Sequence, residues 1–115
     1  MPLITISVIS YSFGLSLVKI EIMETIWKFE TPFDGKFTIG MPFGAEILTV
    51  QQDQKTNRIC IWALVNTENS PQDRTFELFG TGHKIHGDMG IERKYIGTYQ
   101  YQNGDFVGHL FERIN

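Results

Sequence analysis

Only one cysteine, Cys60, stands in 115 residues. An intramolecular disulfide is therefore excluded, and because Cys60 sits within the apolar run Ile59-Cys60-Ile61-Trp62-Ala63-Leu64-Val65, a buried thiol is expected rather than a redox centre. Long apolar runs are missing too. Residues 1–22 carry only Lys19 and Glu21 as side-chain charges, yet serine and threonine interrupt them every few positions, so no unbroken stretch of about 20 apolar residues is available to span a bilayer. The same segment lacks the basic leader and the clear small-residue cleavage site of a signal peptide. Positive charge is in short supply. With 10 Lys and Arg against 13 Asp and Glu the net charge is −3, which gives no broad attraction to phosphate and disfavours extended nucleic acid as a partner. Helical periodicity is the last absence: no segment repeats apolar residues at i, i+3, i+4 and i+7, so no long amphipathic helix is predicted.

What is present reads with a period of two. Residues 58–65 place Ile59, Ile61, Ala63 and Val65 on one side and Cys60, Trp62 and Leu64 on the other. Both sides are apolar, so this stretch is predicted to be the central strand of a sheet with something over each face. Burying Trp62 alone contributes at most about 4–6 kcal/mol, from about 150–250 Å² at about 25 cal/mol per Å². Further strands are predicted over 25–30, 36–41, 46–52, 74–79, 95–101 and 105–113, separated by turn-forming stretches such as Pro32 to Gly35 and Asn103-Gly104. Residues 66–73 read as a polar loop, in which Ser70 to Asp73 is the place for a single helical turn, and 84–94 read as an exposed excursion. The expectation is an all-β chain: a mostly antiparallel sandwich or partly open barrel of about seven to nine short strands. A second sheet or another subunit must supply the missing cover, so a homo-oligomer is expected. Residues 23–115 form one β domain, and residues 1–22 an N-terminal extension: a hairpin turning at Tyr11 to Gly14, a swapped arm or a dispensable leader.

The most suggestive local motif is Gly80-Thr81-Gly82-His83, where two glycines bring backbone N–H groups close to an anion and Thr81 and His83 add side-chain donors. It lacks the pattern of a P-loop, and the bland alternative is a turn that ends a strand. Arg74, Lys84, Arg93 and Lys94 lie near it in sequence and are candidates to complete an anion site. Tyr95, Tyr99 and Tyr101 share one side of a predicted strand, the arrangement of a nucleobase-stacking row, a subunit interface or an ordinary sheet face. The candidate ligand-binding residues are thus Arg74, Gly80, Thr81, Gly82, His83 and Tyr95. His83, His86 and Asp88 are too few and too loop-bound to predict a metal site, and His109, which shares a side with Val107 and Phe111, is expected to be a partly buried structural histidine. No Ser-His-Asp or Cys-His arrangement is recognisable, so neither catalytic residues nor a cofactor are expected.

Several stretches together resemble a known family: Ile26-Trp27-Lys28-Phe29, Met41-Pro42, Gly44-Ala45, Ile47-Leu48, Val50-Gln51, Trp62 to Val65, Arg74-Thr75-Phe76, Gly80 to His83, Tyr95 to Thr98 and the closing Val107, His109, Phe111 and Glu112. In one register from Met23 to Glu112, the chain resembles a small family of proteins frequent in tailed phages and prophages, to which no settled activity is attached. The resemblance implies the cytoplasm of an infected or lysogenic bacterium and a non-enzymatic binding protein. Such a protein would inhibit or sequester a host protein or a small anionic ligand, and the alternative is a minor structural or assembly protein of the virion.

Overall fold

A computed structural model describes residues 5–13, 16–32, 35–87 and 89–114, with side chains from Met23 onward. It contains eight strands: β1 (Thr5–Phe13), β2 (Ser16–Glu30), β3 (Lys36–Pro42), β4 (Glu46–Gln52), β5 (Ile59–Asn66), β6 (Pro71–Gly80), β7 (Arg93–Tyr101) and β8 (Phe106–Arg113). They form two antiparallel sheets of four strands, ordered β1-β2-β5-β4 and β3-β6-β8-β7. The architecture is the expected all-β, sandwich-like one, and among the described residues no ladder closes it into a barrel. Among the described residues there is no helix, and hence none long and apolar enough to cross a membrane.

Position and composition explain β5. It lies between β2 and β4, and its inward residues Ile59, Ile61, Ala63 and Val65 are 4% exposed or less. They meet Phe37, Met41, Phe76, Tyr99 and Leu110 of the second sheet, where Phe37 and Phe76, directly opposite across β3 and β6, stack with ring centroids 5.7 Å apart. Each large apolar side chain buried there stabilises the fold by about 1.5–3 kcal/mol.

Cover on both faces of β5 is the part of the expectation that fails within one chain. Cys60 is fully buried, but Trp62 and Leu64 on the same outer face are only half-buried, and no described element lies over them. Their shelter comes from their own sheet: Lys28 and Thr49 flank Trp62, and Glu30 and Gln51 flank Cys60. Burial still pushes the Cys60 thiol above its ordinary pKa, as an inert core thiol requires.

Three segments differ from the sequence reading. The leading hairpin is present, but its second strand does not stop at Ile22. β2 is one strand of 15 residues whose first part pairs with β1, from Ser16 opposite Phe13 to Glu24 opposite Thr5, and whose last part, Glu24 to Glu30, pairs with β5. Of the turn expected at Tyr11 to Gly14, Tyr11 to Phe13 belong to β1, and Gly14 lies outside the described residues. Residues 71–73 are strand rather than loop or helical turn. Pro71 is the first residue of β6, opposite Pro42 at the end of β3, where a missing N–H interrupts nothing.

The third difference decides what the surface carries. A β-bulge between Tyr95 and Gly97 inserts Ile96 into β7 and reverses the alternation there. Tyr99, 3% exposed, and Tyr101 point into the core, while Tyr95 is 54% exposed on the opposite face. The predicted row of three tyrosines on one side does not form.

Candidate functional site on the outer face of the second sheet

Alternation along β6, β7 and β8 sends Glu77, Phe79, Arg93, Tyr95, Thr98 and His109 outward, together with Phe111 and Arg113. The register sets Phe79 opposite His109, and Phe111 between Glu77 and Tyr95. Phe111 meets Phe79 edge-on at 5.9 Å and Tyr95 edge-on at 5.4 Å between centroids, the geometry aromatic quadrupoles favour. Glu77, only 8% exposed, lies beneath two guanidinium groups: Arg93 donates to it at 3.0 Å and Arg113 stands 3.4 Å away. Arg93 also lies 5.6 Å from the centre of the Phe79 ring and donates to the His86 carbonyl at 2.9 Å, tying the segment before β7 to the sheet. The face is a packed aromatic and guanidinium surface built around one carboxylate.

Beside it runs a string of hydroxyls joined through an imidazole. His109 reaches Thr81 Oγ1 with Nε2 at 2.7 Å and Thr98 Oγ1 with Nδ1 at 2.9 Å, and Thr98 Oγ1 is in turn 2.5 Å from the Tyr95 hydroxyl. A neutral imidazole has one donor and one acceptor nitrogen, so the string polarises as a unit in one direction or the other. Its chemical use is orientation: it holds Thr81, Thr98 and the exposed Tyr95 in one arrangement before anything binds.

Of the residues predicted from sequence, Thr81 and Tyr95 are brought together by this string. Gly80 and His83 close the loop on itself. The Gly80 amide donates to His83 Nδ1 at 3.1 Å, the His83 amide to the Gly80 carbonyl at 3.0 Å, and the Thr81 amide to the Val107 carbonyl at 3.2 Å. The imidazole of His83 stands where a side chain on residue 80 would be, 2.7 Å from an ideal Cβ. These amides are thus spent inside the protein rather than turned toward an anion. Gly82, at φ +85°, supplies the left-handed turn that permits the closure.

Arg74 lies elsewhere. It is six residues up β6 from Gly80, about 20 Å at strand rise, with its side chain on the inward-facing alternation. There its guanidinium forms a two-pronged pair with Glu112 and donates to the Ala45 carbonyl at 2.6 Å, at the edge of a hollow of about 480 Å³ also lined by Lys94 and Arg113. The contact with Glu112 holds Arg74 above its ordinary pKa.

Sequence reading placed His109 correctly on the side of Val107 and Phe111, but not its bridging of Thr81 and Thr98, because nothing local announces that β7 and β6 flank β8. Among the described residues no group of three His, Cys, Asp or Glu is arranged to hold a metal ion, and Asp88 lies outside them.

A family model described as a domain of unknown function, DUF7352, matches residues 23–115. The match begins one residue before Glu24, where β2 passes from the hairpin to the sheet. No curated protein and no solved structure matches the chain.

Proposed function

The chain belongs to the DUF7352 family, a grouping that carries no activity with it, and we propose that it works by binding a protein partner through the outer face of the second sheet. The observation that carries this reading is Tyr95: it is 54% exposed, yet its ring is packed against Phe111 and its hydroxyl is held by Thr98. An exposed aromatic already fixed in place loses little conformational entropy on binding, and tyrosine and arginine are the residues that most often dominate contact energetics. The phage-type resemblance of the sequence suggests a bacterial host factor as that partner. A small anion bound at Gly80 to His83 is the weaker version, because the amides of Gly80, Thr81 and His83 are already paired and Arg74 is remote.

Direct binding tests the reading. A partner captured from bacterial lysate and then purified should bind the wild-type chain, and Tyr95→Ser should weaken it by about thirty-fold, the loss of a contact worth about 2 kcal/mol. Glu46→Lys, on the other sheet, should leave the affinity unchanged. Equal affinity for Tyr95→Ser and wild type would refute the assignment.

A further inference from the structure

β4 and β7 end their respective sheets on the same side of the molecule, and they approach without pairing. Val50 Cγ1 lies 3.2 Å from the position of a Cβ on Gly97, so the two edges meet at that point. Outside it runs a groove of about 300 Å³ between Thr49, Gln51, Gln52 and Gln54 on one rim and Thr98 and Gln100 on the other. Gln52, Gln54 and Gln100 also line a hollow of about 420 Å³ beyond the strand ends, where Asn57, Gln102 and Asn103 complete the wall. The shared residues make the two spaces continuous, and neither lining contains a charged side chain.

The non-glycine residues at positive φ among the described residues are Asn57 at 58°, Gln102 at 49° and Asn103 at 57°, and all of them line this hollow. Asparagine tolerates that conformation. Glutamine does so only at a cost of about 1–2 kcal/mol relative to glycine, which the surrounding turn must offset. Gln52 braces the same turn by accepting from the Gln102 amide at 3.1 Å. Residues held in such conformations cluster at binding sites as well as in tight turns. Tyr99, which contributes to the groove, is 3% exposed and its hydroxyl has no hydrogen-bond partner among the described residues.

We propose that this amide-lined groove between β4 and β7 binds a short, uncharged saccharide. Each glutamine or asparagine offers both a donor and an acceptor, which matches hydroxyl groups that must do both. The absence of cations disfavours an anionic ligand, the absence of carboxylates a cationic one, and an apolar ligand finds little beyond Val50 and Tyr99. A peptide strand inserted between the two edges would need about 4.8 Å on each side, and the contact of Val50 with Gly97 closes that space. The groove shares Thr98 with the Tyr95 face, but its test rests on Gln51, Gln54 and Gln100, which take no part in that face, so the fate of either assignment leaves the other standing.

Nuclear magnetic resonance titration of the full chain with maltotriose, cellotriose, xylotriose and N,N′,N″-triacetylchitotriose tests it, with trigalacturonate and an extended neutral peptide as comparators. The expected result is saturable movement of the side-chain NH2 signals of Gln51, Gln54 and Gln100 with at least one neutral sugar at millimolar concentration. Gln54→Ala and Gln100→Ala should each weaken that binding about ten-fold while the backbone spectrum shows an intact fold. Gln102→Gly should bind the same sugar more weakly although its melting temperature rises, a combination that a purely structural turn residue does not produce. No movement with any of the four sugars, affinity indifferent to these substitutions, or stronger response to trigalacturonate or the peptide would each overturn the proposal.

Discussion

The ring of Tyr99 occupies the space over Gly108, its partner across β7 and β8: a Cβ on residue 108 would lie 2.5 Å from Tyr99 Cζ. Glycine here is a packing requirement rather than a turn requirement. Gly108→Ala is expected to cost about 1–3 kcal/mol, read as a lower urea midpoint with an unchanged m-value. Combining it with Tyr99→Leu should cost less than the sum of the two single changes, because the clash and the ring that suffers it are removed together.

The same tyrosine predicts an alkaline signature. Burial pushes its phenol up from 10.0 to about 12. The folded chain therefore keeps a proton that the unfolded chain releases, so this contribution to stability is intact below about pH 10 and is lost as pH rises toward 12. Ultraviolet titration should show one tyrosine ionising late, and Tyr99→Phe should remove that phase. Because the buried hydroxyl has no partner among the described residues, the phenylalanine variant should also be more stable than wild type by about 1 kcal/mol.

Arg74 and Glu112 tie β6 to β8 where β7 begins, and the third contact, to the Ala45 carbonyl, reaches the segment ahead of β4. Removing one partner strands a partly buried charge. Glu112→Ala and Arg74→Ala should each cost about 3 kcal/mol in chemical denaturation, and the double variant should cost clearly less than their sum.

At the acid end, the hydrogen bond from Lys28 and a backbone bond from Lys55 hold Asp53 below its ordinary value of 3.8. A depressed carboxylate stabilises the fold above that value, and the contribution is lost as pH falls through the folded-state pKa. Melting temperatures measured from neutral pH downward should fall less steeply below about pH 4 for Asp53→Asn than for wild type. Added salt should shrink the difference, since the Lys28 side chain is well exposed.

The parts of this fold that were legible in the sequence are those that repeat or that chemistry restricts locally. β5 could be recognised as a central strand because apolar residues on both of its faces have few other places to go, and the β7–β8 hairpin because Asn103-Gly104 accepts positive φ. Parity was not legible at Ile96. A single inserted residue leaves composition untouched yet moves Tyr95 to the opposite face from Tyr99. Nor was lateral strand order: His109 bridges Thr81 and Thr98 only because β8 lies between β6 and β7, and Arg74 was grouped with Gly80 by nearness along a chain that is fully extended between them. The glutamine-lined groove was hidden for the same reason, since its two rims are about 50 residues apart and neither is unusual alone.

The extra residue in β7 works as a toggle between indoors and outdoors. Loss of Ile96 would join Tyr95 directly to Gly97 in a regular ladder and leave Tyr95 opposite Phe111 on the outer face. The same strand paired at full length without the bulge would instead carry Tyr95 to the side of Tyr99 and take the exposed ring off the surface. The outer surface thus depends on one residue of slack in the strand as much as on the side chains that form it.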